Sequence, residues 1–192
     1  MPRFTVPAVL AVSIVLALSA CVETGDQPTL PTGSPTPAPT ATSAPTTIPT
    51  PVDEPLAVTC GELVDADAVY AFDPNYALLD SWDPAPGTDA AEAVDRGGVA
   101  CQLVRESGGG TIDLSVAELS AEDLTAAKNA AFASSQMVPT YGDEAYFEVE
   151  GGVGTAIVFQ GPYRLVISSV AFAEPGEPTE IIDAALAALP AA

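Results

Sequence analysis

Histidine is absent from all 192 residues, and lysine occurs once, at Lys128. Without histidine there is no Ser-His-Asp triad, no Cys-His pair, no imidazole ligand for a metal and none of the usual neutral-pH proton shuttles. Cations of any kind are scarce: five Lys and Arg stand against 26 Asp and Glu, for a net charge of −21. Nucleic acid binding needs basic residues to displace counterions, so nucleic acid is not expected as a partner. Electrostatic adhesion to an anionic membrane surface is disfavoured for the same reason. Tryptophan occurs once, and cysteine only three times, at Cys21, Cys60 and Cys101.

What is present begins with an apolar run, Phe4 to Ala20, preceded by the single cation Arg3. At about 17 residues it is marginal for a membrane span and suits the apolar region of a secretion signal. A buried core helix is a poor alternative, because the sequence that follows offers nothing for it to pack against. A membrane anchor helix lacks flanking charge beyond Arg3. The run closes on Leu18-Ser19-Ala20-Cys21, which resembles the bacterial lipobox: a large aliphatic residue, two small ones, then cysteine. That resemblance implies cleavage after Ala20 and acyl chains, palmitate among them, on Cys21 as the first mature residue, with an ordinary signal peptide as the alternative. Burial stabilises by about 0.8 kcal/mol per methylene and one chain holds only marginally, so two or more chains anchor firmly. Residues 1–20 are thus expected to be a lipoprotein signal peptide, and the chain beyond Ala20 to carry four cations against all 26 acids.

From Val22 to Pro55 the composition changes to nine Pro and nine Thr in 34 residues. Such a segment buries too little apolar surface to offset its ordering entropy. Its proline content favours extended polyproline II, with a reach between about 30 Å as a coil and about 100 Å when stretched. Residues 21–55 are expected to be a disordered tether after the lipidated cysteine, and Thr beside Pro also suits O-glycosylation.

Residues 56–192 are expected to form one globular domain. Thr59 and Glu62 have capping-box spacing, with Val58 and Leu63 as a hydrophobic staple; Asp65 is a second candidate cap for the same helix, which should end by Asp73, before Pro74. Tyr76 to Pro86 reads as loop, and Thr88 caps a short helix stopped at Gly97-Gly98. Strands are expected at Val99–Arg105, Thr111–Val116, Ala145–Val149, Thr155–Phe159 and Tyr163–Phe172. Between the second and third lies a helix capped by Ser120, with an apolar stripe of Leu124, Ala127, Ala131 and Phe132, then a turn from Met137 to Gly142. A last helix opens at Pro178 to Glu180 and buries Ile181, Ile182, Ala185, Leu186 and Leu189. The order is α-β-β-α-β-β-β-α, and the expected class is α+β: an antiparallel sheet of about five strands with helices packed on one face. Gly98 to Ala131 and Gly152 to Leu189 echo each other as glycine, hairpin and helix.

With Cys21 assigned to lipid, Cys60 and Cys101 form an even pair in a disulfide-permissive setting, with free buried thiols as the alternative. A bridge closing this 42-residue segment would stabilise by about 4 kcal/mol on the chain-entropy account.

The lipobox, the Pro/Thr tether, Cys60-Gly61-Glu62-Leu63 at a helix start, Val99-Ala100-Cys101-Gln102-Leu103 on a strand, Tyr141-Gly142-Asp143-Glu144-Ala145-Tyr146, and the Ala/Leu-rich C-terminal helix together resemble the small cysteine-paired lipoproteins of actinobacteria, domain families without an assigned activity, some related to extracellular sensor domains. The resemblance covers about residues 60 to 189. It implies a disulfide tying the first helix to the first strand, and it carries over no catalytic residue.

Chemistry-bearing patterns are few. Gly142-Asp143-Glu144 could offer two carboxylates to a cation, but a tight turn accounts for it better. Asp65 with Asp67, and Glu122 with Asp123, suit helix N-termini. No segment has EF-hand spacing, and Gly108 to Gly110 and Gly151-Gly152 lack a phosphate-binding lysine. The aromatic cluster Tyr70, Phe72, Tyr76 and Trp82 could form a ligand-binding platform or a lid completing the core. No catalytic residue, cofactor or metal is expected. The function expected is a monomeric, non-enzymatic lipoprotein on the extracytoplasmic face of the cell membrane, binding an envelope protein or cell-wall ligand. A lipid or glycolipid carrier is the first alternative and a carboxylate-dependent hydrolase the second.

Overall fold

The computed structural model describes residues 55–191. The apolar run, Cys21 and the Pro/Thr stretch through Glu54 lie outside the described residues. Twelve elements follow: α1 (Cys60–Leu63), α2 (Ala66–Phe72), β1 (Tyr76–Leu78), α3 (Asp89–Asp95), β2 (Val99–Arg105), β3 (Thr111–Glu118), α4 (Ala121–Ser134), β4 (Gln136–Met137), β5 (Glu144–Glu150), β6 (Val153–Gln160), β7 (Tyr163–Ser169) and α5 (Thr179–Ala188). The strands make one antiparallel sheet in the order β1-β2-β3-β7-β6-β5-β4. The class is therefore α+β, but the sheet has seven strands where about five were expected.

Both additions are at the edges. Tyr76 to Leu78, expected as loop, pairs with β2 through Tyr76 opposite Arg105 and Leu78 opposite Leu103. Met137, which opens the expected turn, and Gln136 before it pair with Tyr146 and Phe147. Strands of two or three residues are too short to show a period in sequence. β7 also stops at Ser169, short of Phe172, which packs as a fully buried core residue beyond the strand.

The helices lie on both faces of the sheet, which corrects the one-face expectation. α1, α2 and α5 cover the first face, where Leu63, Val69, Ile181, Ile182 and Ala185 pack with Leu103, Leu114, Val158, Leu165 and Ile167. α4 covers part of the second, its Ala131 buried with Tyr146, Ile157, Phe159 and Val166, and α3 packs beside it through Ala93 against Ala117 and Leu119. The reason is legible in the strands: Ala156 to Phe159 and Leu165 to Ile167 are unbroken apolar runs, and alternate residues must face opposite sides. Phe132, expected in the α4 stripe, is 68% exposed; it stands one residue, about 100° of helical turn, from Ala131. The two hairpin-helix echoes are not a structural repeat, since α4 and α5 fall on opposite faces.

The helix expected from Thr59 to Asp73 is two helices, because both candidate caps are used. Glu62 accepts from the Thr59 N–H at 2.8 Å and from its hydroxyl at 2.7 Å. Asp65 then accepts from the Ala68 N–H at 2.8 Å and starts a new helix, with Val64 extended between them. The Cys60–Cys101 disulfide joins α1 to β2, with 5.6 Å between Cα atoms. Two glycines permit close packing: a Cβ on Gly154 would meet the Phe172 carbonyl at 2.1 Å, and one on Gly142, whose φ is 49°, would meet that of Phe159 at 2.6 Å.

Replacing both bridging cysteines by alanine is expected to lower the unfolding free energy by about 3–4 kcal/mol, read from the urea midpoint at unchanged slope. A loss below about 1 kcal/mol would show that the bridge adds little to the packing around it.

Candidate functional site

The four aromatics singled out in the sequence separate in space. Phe72 turns inward, edge-on to Tyr76 at 5.6 Å between ring centroids and to Phe172 at 6.2 Å. Tyr76 is buried on β1. Trp82 is half-buried in the segment after β1. Tyr70 is 71% exposed.

Tyr70 and Tyr76 meet again as walls of one groove. About 440 Å³ of space runs along the free side of β1, bounded by Gly61 of α1, Val64, Ala66, Val69 and Tyr70 around α2, and Tyr76 to Leu78. The strand that forms its rim is an edge. The Asn75 carbonyl accepts from the Glu106 N–H at 2.8 Å and the Leu79 N–H donates to the Gln102 carbonyl at 2.9 Å, both toward β2. Backbone groups alternate along a strand, so those of Leu78 and the Tyr76 carbonyl point away from β2. The edge is held rigidly from behind. Arg105 donates to Asp73 at 2.7 Å and lies over the Tyr76 ring at 5.1 Å from its centroid. Asp73 also accepts from the backbone and side chain of Asn75, and these bonds, the backbone one first, hold its carboxyl below the usual range. The groove is not legible in the sequence because Tyr76 to Pro86 reads as loop; the apolar run Tyr76-Ala77-Leu78 is the one signal, and it is three residues long.

A second groove, about 450 Å³, lies between α3 and α4 on the other face. It is polar. Arg96 pairs with Glu92 and with Asp123, both at 3.2 Å, and Arg164 pairs with Asp89 at 2.5 Å and Glu92 at 3.8 Å. Lys128 on the outer flank of α4 pairs with Glu144 at 3.0 Å. Among the described residues each of the four cations is engaged by a carboxylate, which leaves none free for an anionic ligand. These pairs tie the helices to the sheet.

The Gly142-Asp143-Glu144 carboxylates are likewise satisfied by the protein. Asp143 accepts from the Gly161 N–H at 2.8 Å. Glu144 accepts from the Tyr146 hydroxyl at 2.6 Å as well as from Lys128. These two bonds, the tyrosine first, hold the Glu144 carboxyl below its ordinary value, while the same hydrogen bond and then burial push the Tyr146 phenol up to about 12. No group of three or more His, Cys, Asp or Glu is arranged to hold a metal ion among the described residues, and none of their helices is long and apolar enough to cross a membrane. Comparison with protein-family models, with curated proteins and with solved structures finds no match for this chain.

A depressed carboxyl contributes its full stabilisation above the unfolded value of about 4.3 and loses it as pH falls through the folded value. Glu144→Gln is therefore expected to cost about 1–2 kcal/mol at pH 7. The difference from wild type should shrink in urea melts below about pH 4. A difference that stayed constant down to pH 2 would remove charge from the explanation.

Proposed function

We propose that this chain is a lipoprotein of the cell envelope, held on the extracytoplasmic face of the membrane by acyl chains on Cys21, and that its folded domain is a non-enzymatic binding module. Its occupant is an extended segment of another envelope protein, laid along β1 as an added strand. The observation that carries this is the pairing of an open strand edge with an apolar groove beside it. An added strand gains main-chain hydrogen bonds from the outward-facing groups of Tyr76 and Leu78. Its alternate side chains enter the space between Val64, Val69 and Tyr70. The chain's net charge of −21 favours a segment with basic flanks. An exposed aromatic at the mouth is the residue type that contributes most to such contacts.

The reading of Cys21 supplies the setting. A head on a 34-residue Pro/Thr stalk samples the space outside the membrane without leaving it, and anchoring raises the effective concentration of the module for partners in the same layer.

Peptides selected on the oxidised protein from a random library are expected to be extended, apolar at alternate positions and basic at their ends. Tyr70→Ala and Ala66→Arg, both at exposed groove positions, should each weaken them at least tenfold, and unchanged affinity in both would exclude the β1 groove. Separately, feeding cells an alkyne-bearing palmitate should label the wild-type chain and leave Cys21→Ser dark and released to the medium. An unlabelled wild-type chain would rule out the lipid anchor.

A further inference from the structure

Beneath α3, on the sheet face opposite the disulfide, lies a smaller pocket of about 170 Å³. Its walls are Thr88, Asp89 and Ala90 at the start of α3, Asp113 and Ser115 on β3, and Val166 and Ser168 on β7. The strand register sets Asp113 beside Ser168 and Ser115 beside Val166, and residues two apart on a strand share a face. Ser115 is only 3% exposed. Buried hydroxyls are as a rule hydrogen-bonded, and the comparable Ser169 donates to the Thr111 carbonyl at 2.6 Å. The Ser115 hydroxyl has no such partner among the described residues. Every fully enclosed side-chain polar atom there is paired, so this hydroxyl opens onto the pocket it lines. Asp113 spends one oxygen on the Gln102 amide at 2.8 Å, and Asp89 spends one on Arg164 at 2.5 Å. Each carboxylate keeps its second oxygen.

We propose that this pocket holds a primary ammonium group on a short aliphatic stem, the chemistry of a lysine-type side chain. An ammonium has three donors and no acceptor, matching the two spare carboxylate oxygens and the orphan Ser115 hydroxyl. Its methylenes lie against Ala90 and Val166. An anion would face two carboxylates, and the neighbouring Arg164 is already committed to Asp89 and Glu92. A calcium ion asks for six to eight oxygens, more than the two spare carboxylate oxygens and the hydroxyls of Thr88, Ser115 and Ser168 supply. The acidic surface raises the local concentration of cations and speeds their arrival. This site lies on a different face from the β1 groove and stands or falls independently of it.

The test is an NMR titration of the isotope-labelled full chain in detergent with Nα-acetyl-lysine methylamide, set against the same probe acetylated on Nε. The expected result is saturable shifts at the amides of Asp113 to Ser115 and Ser168, with the acetylated probe at least tenfold weaker. Asp113→Asn, which keeps the bond from Gln102, should weaken binding at least tenfold. Ser115→Ala, which removes only the hydroxyl, gives a second variant should the first disturb the spectrum, and it should weaken binding severalfold. Equal response to both probes, shifts centred elsewhere, or undiminished affinity in whichever variant keeps the native spectrum would overturn the proposal.

Discussion

The bond between Cys60 and Cys101 is the constraint on which the exposed chemistry of this domain depends. α1 has four residues and α2 seven, and helices this short do not persist in water without tertiary support. One end of the pair is tied covalently to a buried residue of β2. The other is held by Val69 in the core and by the contact of Phe72 with Phe172. With both ends fixed, the helices stand off from β1 and leave the groove open. A sheet edge is ordinarily a liability that proteins cover or charge. Here it stays uncovered beside an apolar wall, and the proposed docking of a partner strand rests on that combination.

Charge is distributed with a parallel economy. Four cations serve 137 described residues, and each pairs with a carboxylate on another element or turn. Arg96 joins α3 to α4, Arg164 joins β7 to α3, Lys128 joins α4 to β5, and Arg105 joins β2 to the turn before β1. Most of the remaining described acids face solvent, giving a surface that repels polyanions and attracts positively charged groups. The two proposed sites, the pocket under α3 and the β1 edge, lie within that field.

Much of the fold was legible because its signals were local and physical. The caps at Thr59, Asp65, Thr88 and Ser120 all bind where the spacing placed them, and five of the seven strands were long enough to show their pattern. The two that were missed, β1 and β4, have three and two residues and exist only because a longer neighbour templates them. Two-sided helix packing shows in the unbroken apolar runs of β6 and β7, a signal that the expectation of helices on one face does not use. The candidate site was half legible. The aromatic cluster was visible in sequence, yet only tertiary structure separates Phe72, which fills the core, from Tyr70, which stands in solvent. Ser115 carried no sequence signal at all, since a serine on a strand means little until its neighbours are known.

Native-state hydrogen exchange, compared between the oxidised chain and the Cys60→Ser variant, tests the central claim most directly. If the bridge holds the groove, losing it should raise exchange across α1, α2 and β1 by an order of magnitude or more while β3, β6 and β7 keep their protection. Equal loss across the whole sheet, or no change at α1 and α2, would contradict it.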